Sequence, residues 1–170
     1  MKKHLNLDML CNIPEENLCR NAEGGKKMLI KQISAFVENK KGRLYSLTQT
    51  LADHNIDLKA LSIADTSEFG ILRCIVNDPD KALEVLRGEG FTASMTPVLG
   101  IEVEDTPGGL AQVLKVLHEN EISVEYLYSF VGTRSENAIV IFHVKETEKA
   151  FEILQNAGLK MLTGEMIYNI

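Results

Sequence analysis

From Val37 onward the chain is written twice. Val37, Glu38, Gly42, Leu44, Leu51, Ile56 and Leu61 recur 66 positions later as Val103, Glu104, Gly108, Leu110, Leu117, Ile122 and Leu127. Further along the spacing grows to 68, so that Val76, Ala82, Leu86 and Gly90 meet Val144, Ala150, Leu154 and Gly158. The two added residues fall between Phe130 and Ala138, where a hairpin turn absorbs an insertion. Whatever fold one copy takes, the other must take as well.

Each copy reads strand, helix, strand, strand, helix, strand. In the first, Ile33, Ala35 and Val37 alternate on one strand face, and Leu44, Leu47, Leu51 and Ala52 then follow helical spacing up to His54 and Asn55. Ile56 to Ala64 and Ile71 to Val76 read as a hairpin around the turn Asp65 to Gly70. Asp78 and Pro79 supply an N-cap oxygen and a pre-set φ for a second helix ending at Gly88 or Gly90, and Phe91 to Val98 closes the unit. The second copy gives helices near Leu110 to Asn120 and Thr147 to Asn156. Its strands are expected at Leu99 to Glu104, Ile122 to Val131, Ala138 to Val144 and Leu159 to Ile170. The fold class is therefore α+β: two ferredoxin-like βαββαβ units in tandem, antiparallel sheets with helices on one face, at 28–98 and 99–170. Residues Met1 to Lys27 hold Pro14, Gly24 and Gly25 without a sustained period and read as a poorly ordered leader, with Met28 a second candidate start.

Composition narrows the function. With 45% apolar and 25% charged residues in 170, the chain is globular, and its longest apolar runs, such as Ala138 to Phe142, are far below the roughly 18 residues of a membrane span. The opening segment is broken by Asn6, Asp8 and Asn12 and makes a poor secretory signal, so a cytoplasmic place is expected. Cys11, Cys19 and Cys74 form no C-x-x-C pair, and His4, His54, His118 and His143 have no metal-ligand spacing, so neither a disulfide framework nor a metal is expected. A net charge of -6 repels phosphate backbones, and the third strands carry only Phe142 as a stacking aromatic, against nucleic acid. No nucleophile elbow, P-loop or dinucleotide fingerprint is present, which argues against an enzyme.

The repeated loop is NKKGRL at Asn39 to Leu44 and DTPGGL at Asp105 to Leu110. It joins strand one to helix one, where orphan backbone N–H groups and the helix dipole favour an anion. Gly42 and Gly108 permit positive φ and close approach of a ligand. Asn39 and Asp105 either cap the helices or accept hydrogen bonds from an ammonium group.

Two βαββαβ units, each carrying this loop, resemble tandem ACT domains over Met28 to Ile170. The resemblance implies binding of a free L-amino acid at interfaces between paired units, through this loop of one unit and the second strand of its neighbour. It also implies no cofactor, a homodimer, and regulation of an enzyme of amino-acid metabolism, with no catalytic domain in this chain. By position it implies site residues Asn39, Gly42, Arg43 and Leu44, then Asp105, Thr106, Pro107, Gly108, Gly109 and Leu110. Second-strand candidates are Ser62, Ile63, Ala64 and Asp65. The first copy departs from the pattern with Lys41 where the second has Pro107. A docking subunit, with any ligand incidental, is the competing reading.

Three further residues draw notice. Tyr126 and Tyr128 share a strand face with Phe130 in a chain of only four tyrosines and no tryptophan, serving either as packing or as hydroxyl donors beside the loop. Arg73 interrupts an apolar strand, either facing the surface or gripping a carboxylate bidentately. Open sheet edges call for cover, so self-association is expected.

Overall fold

The computed structural model describes residues 29–65, 69–130 and 137–170; the expected leader Met1 to Lys27, residues 66–68 of the first hairpin turn and the inserted second turn lie outside them. The first unit runs β1 (Ile30–Glu38), α1 (Arg43–Asp53), β2 (Leu58–Asp65), β3 (Phe69–Val76) and α2 (Pro79–Gly88). A 12-residue strand, β4 (Ala93–Glu104), follows. The second unit continues with α3 (Gly109–Glu119), β5 (Val124–Ser129), β6 (Asn137–Val144), α4 (Thr147–Asn156), β7 (Lys160–Leu162) and α5 (Gly164–Tyr168).

β4 serves both units. Its first half pairs antiparallel with β1, Ile30 opposite Val98 and Ala35 opposite Ala93. Its second half pairs with β6, Leu99 opposite Phe142 and Glu104 opposite Asn137, and also with β7. The expected division between residues 98 and 99 therefore falls inside one strand, and the strands form a single sheet in the order β2-β3-β1-β4-β6-β5.

Each helix pair covers one face of its half of the sheet, as the heptad-like spacing requires. Leu47, Leu51, Ala82 and Leu86 pack on Ile33, Ala35, Leu72 and Cys74 in the first unit. Val113, Leu117, Ala150 and Leu154 pack on Leu99, Ile101, Val140 and Phe142 in the second. Period-two alternation sends the intervening residues to the other face. There Ile30, Ala60, Ile75 and Val98 meet Tyr128, Ile139, Ile141, Leu162 and Ile167 in a third core. The sheet thus curls with its helix-free faces together. Cys74 is buried in the first core, where desolvation pushes its thiol up to about 12, so it is inert as a nucleophile.

Three expectations need correction. The last strand is only Lys160–Leu162, because Thr163 accepts the Met166 N–H and starts α5, which packs Ile167 into the third core. The second strands begin later than expected, at Leu58 and Val124, since Asn55 and Glu121 take positive φ and Ile56 and Ile122 plug the core as the chain turns. Neither Asn39 nor Asp105 caps a helix. The N-caps are Gly42 and Gly108, at φ 81° and 97°, and no side chain caps α1 or α3.

Candidate functional site

The two loops share a backbone and differ in charge. In each, the left-handed glycine brings the chain into the helix and its carbonyl accepts the first helical bond, from Ser46 and from Gln112. The Arg43 and Gly109 N–H groups bond the Lys40 and Thr106 carbonyls, and with no side-chain cap the next N–H groups of each first turn are left to meet an exogenous acceptor. Asn39 and Gly42 are exposed in the first loop, and Asp105, Thr106, Pro107 and Gly108 in the second. Leu44 and Leu110 are also exposed. The first loop is basic: Lys40 Nζ reaches Glu38 at 3.0 Å, and Arg43 lies 3.9 Å from that carboxylate with its guanidinium 4.1 Å over the Phe91 ring.

Gly109 stands where the first loop has Arg43, and it is buried. A Cβ at this position would overlap the Glu104 carbonyl oxygen, so glycine is required by close backbone approach.

Ser62 is half-buried on β2, Ile63 and Ala64 are exposed there, and Asp65 ends the strand. β2 is an outer strand of the sheet. Among the described residues no hydrogen bond or ion pair joins Ser62, Ile63 or Ala64 to either loop within the chain. Leu61 and Ile63 are 48% and 49% exposed on this edge.

The structure gathers Arg73, Tyr126 and Tyr128 at a different place, between the two halves of the sheet. Gln32, fully buried, donates to Ser34 Oγ at 3.0 Å and to Tyr126 Oη at 2.9 Å, while Tyr128 Oη donates to Gln32 Oε1 at 2.9 Å. Arg73 is half-buried rather than surface-facing, with its guanidinium 4.1 Å over the Tyr126 ring. His143 stacks on that ring at 4.7 Å, and Glu125 Oε2 approaches its Nδ1 to 2.9 Å without hydrogen-bond alignment. Burial raises both tyrosines above the ordinary phenol range and holds His143 below its ordinary value, with Glu125 opposing the latter shift. The tyrosine hydroxyls are thus committed to Gln32.

Sequence reasoning missed Gln32, because an amide in a strand reads as solvent-facing. Replacing it with leucine is expected to cost about 1–3 kcal/mol, the penalty for leaving the buried Tyr128 hydroxyl unpaired. The triple variant Gln32→Leu, Tyr126→Phe, Tyr128→Phe should recover most of that loss in urea unfolding, since both sides of the two tyrosine bonds are then apolar.

Also missed was a polar triad at the end of β4. Glu102, with a side chain 14% exposed, takes Lys160 Nζ at 2.5 Å and the Asn137 amide at 2.8 Å. The Lys160 hydrogen bond, then that of Asn137, holds the carboxyl below its ordinary range. A lowered native pKa adds stability in full above the unfolded value of about 4.3. That stability declines as pH falls toward the lowered native value and is gone beneath it. Glu102→Gln should accordingly flatten this part of the acid limb in a pH series of melting temperatures. These residues border a cleft of about 220 Å³ beside Gly109 and Gln112.

Among the described residues no cluster of potential ligands could hold a metal ion, and no helix is long and apolar enough to cross a membrane. No curated protein matches the chain. The crystal structure of protein BT0572 from Bacteroides thetaiotaomicron is 41% identical, covers 84% of this chain and 98% of its own, and superposes with a TM-score of 0.79. The regulatory subunits of aspartate kinase from Thermus thermophilus and Thermus flavus share the fold at 20% and 19% identity. They cover 80% and 75% of this chain and 99% and 92% of their own, with TM-scores of 0.55 and 0.51. The sequence profile of the ACT domain pair matches residues 28–170, and with the duplicated loop and the βαββαβ order of both units it establishes that the chain belongs to the ACT domain pair family.

Proposed function

We propose that this protein is a non-catalytic cytoplasmic regulator that binds a free L-amino acid. The observation that carries the reading is the twice-built loop, whose left-handed glycine leaves the first helical turn without a side-chain cap. Free N–H donors suit an α-carboxylate, and Asp105 suits the ammonium group beside it. No cofactor is needed for such a role. Equilibrium dialysis against radiolabelled amino acids tests it: the wild type should retain label, and Asp105→Ala should retain less. If none is retained at millimolar concentration, the reading fails.

A second element favours an assembly. Leu61 and Ile63 expose apolar surface on an outer strand whose far edge has no ladder partner among the described residues. We propose that a second copy covers this edge, which would bring Ser62, Ile63, Ala64 and Asp65 of one chain toward a loop of its partner. In the docking alternative the same edge takes an enzyme of amino-acid metabolism.

A further inference from the structure

The cleft beside Gly109 and the matching place in the first unit are lined by different side chains, position by position. Its wall residues Glu102, Gly109, Asn137, Leu159 and Lys160 correspond, through the repeat, to Phe36, Arg43, Phe69, Phe91 and Thr92. The backbones agree closely. Glu104 pairs with Asn137 as Glu38 pairs with Phe69, and Glu102 pairs with Lys160 as the Phe36 N–H bonds the Thr92 carbonyl.

The side chains do not agree. In the first unit Phe36 and Phe69 pack at 5.5 Å between ring centroids, and Arg43 lies across Phe91. In the second, the aromatic pair becomes the Glu102–Asn137 hydrogen bond, and the arginine becomes a glycine that cannot bear a side chain. Bulk filling one unit is replaced by polar groups lining a space in the other.

We infer that this cleft is a small-molecule site built into the second unit alone, with the first unit's equivalent closed by Arg43 and its aromatic neighbours. At about 220 Å³ it is below the roughly 300–1,000 Å³ of pockets for drug-sized ligands, so the occupant is small. Its chemistry is set by two carboxylates, one ammonium and two amides: Glu102, Glu104, Lys160, Gln112 and Asn137. Glu102 is held by Lys160 and Asn137, whereas Glu104 has no ion-pair partner among the described residues. Glu104 is therefore the group left to receive a cation. A compact zwitterion with its ammonium toward Glu104, the neighbour of Asp105, and its carboxylate toward the uncapped first turn of α3 fits this arrangement. The ligand class rests on the amino-acid-binding reading; the location and the one-per-chain count rest on the two units' difference.

The test is an amide-resonance titration of the full chain with a mixture of the twenty proteinogenic amino acids, each at millimolar concentration. Perturbations should centre on Glu102, Glu104, Gly109, Gln112, Asn137 and Lys160, and leave Phe36, Phe69 and Phe91 unmoved. Glu102→Phe with Asn137→Phe, which installs the first unit's aromatic pair, should remove them while the spectrum stays folded. Glu104→Gln, exposed and isosteric, should weaken binding about tenfold through loss of a charge-assisted hydrogen bond. Perturbations confined to Asp105 to Gly108 and the β2 edge would overturn the cleft while leaving amino-acid sensing intact. Equal perturbation of both units would overturn the asymmetry, and a silent titration would overturn the cleft and the sensing reading together.

Discussion

Truncating Phe142 to alanine is expected to destabilise the protein by about 3–5 kcal/mol, the usual cost of deleting a buried aromatic ring. In a chain of this size that lowers the melting temperature by roughly 6–20 °C, at about 2–4 °C per kcal/mol. Phe142 is fully buried, and its strand is held on both sides, Leu99 of β4 and Leu127 of β5 lying directly opposite. With the backbone pinned by two ladders, the surrounding Leu117, Ala150 and Leu154 can collapse only slightly into the space left behind. The loss should be felt beyond the second unit. β4 continues into the first unit, and the third core joins both, so calorimetry should show one transition moving as a whole. Tyr45→Ala, at a position 69% exposed, should move it by no more than about 0.5 kcal/mol in free energy. A first-unit transition left in place while a second-unit transition falls would show that the shared strand does not couple the two.

Most of the fold was legible because its signals are local. Leu47 and Leu51, or Ala150 and Leu154, sit at helical spacing, Asp78 caps α2 through the Lys81 N–H as its sequence suggests, and the 66-residue repeat transfers each element to its copy. The end of the chain was misread for a local reason as well. Apolar residues continue past Leu162 at Met166 and Ile167, and only the hydroxyl of Thr163 decides that they belong to a helix.

The site was less legible because its partners are distant. Gln32 meets tyrosines 94 and 96 positions away, and Arg73 reaches Tyr126 only because the sheet curls. Nothing in a single strand announces such a meeting. The positive φ of the loop glycines is legible in the sequence, but of the two roles open to Asn39 and Asp105 capping is excluded, because a left-handed glycine already occupies the N-cap. The Glu102 triad escaped notice because a glutamate, an asparagine and a lysine on three different strands look like ordinary surface residues until the register pairs them.

A free amino acid at about 100 times its dissociation constant is expected to stabilise the protein by about 2.7 kcal/mol through mass action. That corresponds to a rise of roughly 5–10 °C in melting temperature. Gly108→Val should abolish the rise, because a β-branched residue is strained at φ 97° and its side chain would stand where the proposed ligand meets the backbone. Asp105→Ala should reduce it by removing a carboxylate for the ammonium group. Gly108→Val can also lower the unliganded stability by about 1 kcal/mol or more through turn strain, so the rise is compared within each variant. The most direct measurement is therefore a thermal-shift series of the full chain against each common amino acid at millimolar concentration. A rise of 5–10 °C with one amino acid or a related group, lost in Gly108→Val, is the expected result. A melting temperature unmoved by every amino acid would contradict the sensor role and leave the exposed β2 edge, with Leu61 and Ile63, as the functional surface.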